Sequence, residues 1–520
     1  MTQFPFAIIL LLSVGCARVG FSADTVVDGG TSPLDGLTFT DASDGGHASE
    51  GSLDGTIADV TLTDAGDAPS EGVASFDTAT DQTSLPTGTS WLKTFPGPSF
   101  VHGRCVAVDG AGNIYVAGEY RVQTTIGGSQ LSTVVRLYDI YLASFDAAGA
   151  LRWAKAFVSD GAPSLVQGLA VDSHGNAYLV GQFKDTINFG GDVLVGSWDI
   201  FIASFTSAGV HRWSHAFGAA GGIDVAYGVA VDASDTVYIT GEFGWPMSLG
   251  GNLLPLAGAW DMFLAAFDES GQHQWSKSFG GTDQDRPRAL AVSNGRLAVH
   301  GQFSVIGDGP ATGNVGGAEL VGFGGTDLFV GVYSSSNGAH LWSKGFAKSQ
   351  SLVPGEIDID AAGDVYITGS YGSFGVNFGG GSLPAGGAVN AYLARLSTGG
   401  AHVWSKALGP VGGESEGHDV CVSGGNVYVT GSTGPGADFG GGLRDPPGVN
   451  GGVYVVSYDG TGTHRWSQIY GGALGASIAI AAPDVVTITG DFDEPLYFGG
   501  ALRASAEADL DGFLLRRVGL

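Results

Sequence analysis

The chain has 520 residues, 90 of them glycine and 19 proline, so these two types make up 109/520, about 21%. Hydrophobic residues at 43% are ample for a core and exclude wholesale disorder, while glycine at this density disfavours long helices, at about 1 kcal/mol for each in a helix interior. With 14% charged residues and a net charge of −29, the chain is ill suited to nucleic acid or to an anionic lipid surface.

Phe4 to Val14 is an apolar run, too short to span a bilayer and suited to the core of a signal peptide. It leads into Leu12-Ser13-Val14-Gly15-Cys16, which resembles a bacterial lipobox. The resemblance implies cleavage before Cys16 and acylation of that residue. Ser13 departs from the aliphatic residue usual at its place, so an ordinary secretory signal cut near Ala23 is the alternative. Residues 1–16 are read as a lipoprotein-type signal peptide. The mature chain is expected outside the cytoplasm, lipid-anchored to the bacterial outer membrane or cell surface, or else secreted. No later stretch is apolar for long enough to cross a membrane, so contact with the bilayer is expected through the lipid alone.

Val19 to Ser90 contains no Lys or Arg but 13 acidic residues, from Asp24 to Asp81, among Ser, Thr, Gly and Ala. Such a segment cannot bury enough apolar surface to offset its ordering entropy. Residues 17–88 are therefore expected to form a disordered, self-repelling, extended acidic tether.

Beyond the tether one unit recurs. Trp91-Leu-Lys93-Thr-Phe95 returns at Trp153, Trp213, Trp275, Trp342, Trp404 and Trp466, with spacings of 62, 60, 62, 67, 62 and 62 residues. Each period reads as four strands. The first is Val106-Ala-Val-Asp109, followed by a turn at Gly112-Asn113, where both residues tolerate positive φ. The second is Ile114-Tyr-Val-Ala-Gly118. A Gly-rich connection carrying Phe189-Gly-Gly191 or Phe378-Gly-Gly380 leads to the third, Asp139-Ile-Tyr-Leu-Ala-Ser-Phe145, and the fourth holds the tryptophan.

The Trp91 strand precedes any complete unit, and the last unit stops at Leu520 after three strands. The expected fold is therefore all-β: a seven-bladed β-propeller of four-stranded blades over residues 89–520, closed by the N-terminal strand completing the last blade. An open solenoid would need capping units and would not explain the split blade. The unit Ala-Val-Asp-x-x-Gly-Asn-x-Tyr-x-x-Gly, Phe-Gly-Gly, Asp-x-Phe-x-Ala, Trp-x-Lys-x-Phe resembles the SBBP-type bacterial propeller repeat, found in secreted and surface proteins. The resemblance implies an extracytoplasmic binding or scaffolding role and brings no catalytic residues with it.

Several constellations have plain structural explanations. His211, His273, His340, His402 and His464 each stand two residues before a tryptophan, on five different blades, so they cannot converge on one metal. Cys105 and Cys421 fall in blades one and six, too far apart for a disulfide, and are expected to be buried free thiols. Gly413-Glu-Ser415-Glu-Gly417 has the spacing of a nucleophile elbow without its strand–turn–helix setting. No metal site and no cofactor is expected, calcium at the Asp109–Asn113 turn and its relatives being the alternative.

The residue before the third-strand aspartate is aromatic in three blades, Tyr138, Trp198 and Trp260, and Trp245 stands in the third blade's loop. The long connections should share one face, where these four residues could stack on sugars or anchor a partner. The alternative is that they pack between blades. The expectation is a monomeric binding, adhesion or scaffold module for a protein or glycan partner, not an enzyme. A propeller-based glycoside hydrolase or lyase would need paired acids near the axis, for which Asp224, Asp283 and Glu414 are candidates. A structural surface protein without a specific ligand is the third alternative.

Overall fold

The computed structural model describes residues 90–519 except 134–137, 161, 305–311, 323–325, 347–351, 385, 411, 448–450, 499–500 and 504–509. The signal peptide, Cys16 and the acidic segment 17–88 lie outside the described residues, as do parts of the insertion between Val305 and Gly325.

Each repeat folds as an antiparallel meander. In the first, strands Val101–Val108, Ile114–Arg121, Tyr138–Phe145 and Leu151–Phe157 pair in that order. The two middle strands are buried almost throughout, because neighbouring meanders cover both of their faces. Apolar side chains accordingly cluster between repeats, as where Ile140 and Leu142 join Val166, Leu179 and Phe201. The inner strands start earlier than expected, at Val101 and Leu165 instead of Val106 and Leu169. Asp109 falls in the turn that follows.

The inner strands stand side by side around an axis. Val101–Val108 adjoins Leu165–Val171, which adjoins Val225–Val231, followed by Gln284–Ser293, Leu352–Ile359 and Ser415–Ser423. Next comes His464–Ala482, which in turn adjoins Val101–Val108. Four-stranded meanders repeated radially make an all-β propeller. Five of the meanders stand as separate sheets. The rest of the chain differs from the expectation of discrete blades by forming one sheet of eight strands. The cause is local: the 19-residue strand His464–Ala482 runs from the outer position of one repeat straight into the inner position of the next, with no intervening loop. The far edge of this sheet is Trp91–Phe95, antiparallel to Asp511–Val518 with Trp91 opposite Arg516.

The repeat tryptophan links neighbours. Trp153 Nε1 donates to Ser207 O at 3.0 Å, Trp213 to Glu269 O at 2.9 Å, Trp275 to Ser335 O at 3.1 Å and Trp342 to Thr398 O at 2.8 Å, each in the following repeat. Trp91 donates to Ala147 O of the first repeat at 3.3 Å. The ring of Trp153 also lies where a Cβ on Gly209 would be 2.7 Å away, and Gly209 has φ +77°.

The second-to-third connections leave from the expected end, but their Phe-Gly-Gly segments turn back along the side wall. Phe189 sits 5.0 Å from the Phe157 ring of the preceding repeat and 4.9 Å from Phe201. A Cβ on Gly191 would lie 2.5 Å from His211 Cε1, and one on Gly380 2.1 Å from His402 Cε1. The recurring histidines therefore serve packing: His211 Nε2 pairs with Ser214 Oγ at 3.1 Å and its ring presses on the two glycines.

Candidate functional site at the propeller axis

Every inner strand carries a bulge opposite the glycine of the second strand. The residues left unpaired include Arg104, Gln167, Tyr227, Arg288, Glu356 and His418. Glycine is required opposite because the bulge drives a carbonyl inward: a Cβ on Gly118 would lie 1.8 Å from His102 O, and one on Gly431 1.9 Å from Glu416 O. A bulge re-aims its side chain out of the ladder. Gln167, Tyr227 and Arg288 are each half-buried between two buried neighbours. Since the inner strands surround the axis, these side chains belong to its lining.

Most of the charge there is already paired. Arg104 Nε meets Glu119 Oε2 at 2.9 Å, and Glu119 Oε1 accepts from Val166 N of the next repeat at 2.9 Å. Tyr227 OH donates to Glu242 Oε1 at 2.8 Å, and Arg286 Nε lies 2.8 Å from Glu242 Oε2. The same guanidinium stacks 5.2 Å from the Trp260 ring. His418 Nε2 lies 3.3 Å from Glu416 Oε2, and its Nδ1 bonds Gly475 O. Glu356 is half-buried, and burial, with neighbouring Asp419, pushes its carboxyl well above the usual range, against the pull of Arg288. Neither Glu356 nor Gln167 makes a side-chain hydrogen bond or ion pair with another described residue.

The four aromatic residues singled out from the sequence stand at the end of the long connections. The carbonyls of Tyr138, Trp198 and Trp260 accept from Ser164 N, Asp224 N and Asp285 N at 3.0, 2.9 and 2.9 Å, equivalent places in three repeats. Tyr138 is half-buried, 5.8 Å from His102 and 6.5 Å from Phe100. Lys184 Nζ lies 5.9 Å from the Trp198 ring, and Trp198 has φ +69°, a left-handed conformation that a bulky side chain rarely adopts. Trp260 covers Gly244, and Trp245 is 56% exposed beside Gly222. Among the described residues no ring contact links any two of the four.

The acids considered for hydrolysis stand on three different connections. Asp224 accepts from Ala219 N and Gly244 N at 3.0 and 3.1 Å, and burial pushes it up to about 6. Asp283 and Glu414 sit on other connections, and Glu414 is exposed. Ser415 begins an inner strand, where its buried hydroxyl donates to Leu408 O at 2.6 Å. Cys105 and Cys421 are free, and half-buried instead of buried, because inner-strand positions border the axis. The Asp109 carboxylate accepts from Ala111 N, Asn113 N, Asn113 Nδ2 and Tyr115 OH, so its oxygens serve the turn. Asp172, His174 and Asp235 place ligand-type atoms within 4.8 Å at the opposite end. There too the Asp172 carboxylate accepts from His174 N, Asn176 N, Asn176 Nδ2 and Tyr178 OH.

No protein-family model matches the chain, and no curated protein matches it. Among solved structures it is similar to the quinohemoprotein alcohol dehydrogenase from Comamonas testosteroni, at 13% identity over 83% of this chain and 77% of that one, with a TM-score of 0.40. It is also similar to YCF48 bound to D1 peptide, at 11% identity over 84% and 99% of the two chains, TM-score 0.40. A third is the β-propeller domain of the Trilobed protease from Pyrococcus furiosus, at 7% identity over 77% and 97%, TM-score 0.37. The fold assignment rests on the strand pairing above, and the functional proposal on this chain's own residues.

Proposed function

We propose that this chain is an extracytoplasmic binding or scaffold module: an SBBP-type propeller anchored by lipid at Cys16 and held off the envelope by the acidic segment 17–88. It acts as a monomer and presents its long-connection end to a protein or glycan. In this proposal the eight-stranded sheet counts as two blades, giving seven in all, with the N-terminal strand completing the last. The pairing of Trp91–Phe95 with Asp511–Val518 and the bond from Trp91 to Ala147 support that count. One observation carries the binding role. The exposed Trp245 shares the long-connection end with Trp198 and Trp260, each of which has a cation against its ring. Aromatic side chains backed by cations at one end of a rigid scaffold suit partner recognition.

Glycan arrays and a peptide library probed with the full chain test this role. Trp245→Ala and Trp260→Ala are expected to weaken any ligand so found by about tenfold, the loss of roughly 1.4 kcal/mol. Undiminished binding by both variants contradicts it. The anchor is tested separately: palmitate labelling of the expressed protein should disappear in Cys16→Ser, and label retained in that variant, or absent from the parent, argues for a secreted protein.

A further inference from the structure

The bulges give the axis a chemistry of its own. Each repeat could carry any residue there, since the paired backbone is satisfied without it. Yet in six of the seven repeats the residue there, Arg104, Gln167, Tyr227, Arg288, Glu356 or His418, is polar, planar and able to form more than one hydrogen bond, while the seventh has Ala476. Most of the residues flanking them are small or apolar, as in Gly103, Ala226, Gly228, Pro287 and Ala289, although the buried Asp419 follows His418. Polar groups withdrawn in part from water gain from a hydrogen-bond partner. Glu356 and Gln167, from the fifth and second repeats, are half-buried, and their side chains make no hydrogen bond to another described residue.

We propose that this ring binds a neutral, hydroxyl-rich group, the end residue of a glycan, inserted along the axis from the long-connection end. Four observations point to that class. Glu119 and Glu242 already neutralise Arg104 and Arg286, and Glu416 lies against His418, so these pairs leave little net charge for an ionic ligand. A hydroxyl both donates and accepts, so it can meet Gln167, Tyr227 and a carboxyl at Glu356 alike. Trp260, Arg286, Glu242 and Tyr227 form a continuous contact chain from the aromatic end into the ring. Stacking surface outside and a mixed donor–acceptor ring inside are complementary demands of one sugar chain. The proposal rests on the binding role above and narrows it to a glycan.

The test uses the full chain and a set of neutral sugars: glucose, galactose, mannose, N-acetylglucosamine and their disaccharides, followed by titration calorimetry. At least one is expected to bind. Glu356→Ala and Gln167→Ala should each weaken it by about tenfold, as when a hydrogen bond to a half-buried group is lost. Glu356→Gln, which keeps a neutral donor and acceptor, should stay within about threefold of the parent. Thermal melts of each variant separate lost folding from lost contact. Sugar binding that needs Trp260 but ignores Glu356 and Gln167 overturns the axial site and leaves the binding role intact. Stronger binding of glucuronate than of glucose overturns the neutral class. If no sugar of the set binds at millimolar concentration, the glycan proposal fails, and peptide-library hits sensitive to Trp245→Ala would still uphold the binding role.

Discussion

Gly118 faces His102 so closely that a Cβ would sit 1.8 Å from the carbonyl oxygen. Gly118→Ala must therefore either push the inner strand away or remove its bulge. It should destabilise the propeller by about 3 kcal/mol, as overpacking of a tight site does. Gly110→Ala, where no atom lies within 4 Å of the new methyl, should change stability by less than about 0.5 kcal/mol. Urea midpoints compare the two, and similar effects would contradict the close approach. Asp285 is a second residue whose setting dictates behaviour. It is fully buried and accepts from Gly281 N at 2.6 Å, and burial pushes its carboxyl up to about 7. A folded pKa above the unfolded value means that the native state holds the proton longer. The contribution is present below about pH 4 and is lost as pH rises to about 7. Stability of the parent should thus fall across that window at up to about 1.4 kcal/mol per pH unit from this group. Asp285→Asn should reduce the slope, and an unchanged slope would remove Asp285 from the account.

At the scale of the element, the Phe-Gly-Gly connection and the histidine of the fourth strand form one packing unit. Gly191→Ala places a methyl 2.5 Å from His211 Cε1 and should cost about 1–2 kcal/mol. In a His211→Ala background the same change should cost much less, a coupling that a double-mutant cycle reads directly. Additive costs would mean that ring and glycine do not meet. The histidine–glycine contact recurs at His211, His273, His340, His402 and His464, which is why the tryptophan, histidine and Gly-Gly positions are legible in sequence. The axis residues were not legible, and the reason is physical. Arg104, Gln167, Tyr227, Arg288, Glu356 and His418 share a place but not a residue type, so comparison of repeats passes over them. The signal that marks them is the second-strand glycine: Gly118, Gly241 and Gly369 stand out as motif, but that each faces an intruding carbonyl is a property of the paired strands. Alternation likewise shows where strands lie, yet it could not foretell that His464–Ala482 would run on unbroken into the next repeat.

For the whole molecule, the two ends of the folded chain meet in one sheet. Trp91, Leu92 and Phe95 are buried against the last repeat and the first. Removal of residues 1–88 should leave the melting midpoint unchanged. Removal through residue 96 strips three large buried side chains, each worth about 3 kcal/mol, and bares the edge of Asp511–Val518. The second truncation should melt far lower and aggregate; equal melting of the two would contradict a stabilising role for the pairing of Trp91–Phe95 with Asp511–Val518. The acidic composition suits a module that repels most anionic surfaces, and the proposed role has it engage one partner. That partner is the central claim, and a thermal melt of the full chain against calcium, a chelator, oligosaccharides and peptides tests it most directly. Ligand at 100 times its dissociation constant adds about 2.7 kcal/mol and should raise the midpoint by roughly 2–4 °C. The account predicts such a shift with an oligosaccharide or peptide, abolished in Trp245→Ala and Trp260→Ala; a shift with calcium alone, or one that both variants retain, would contradict it.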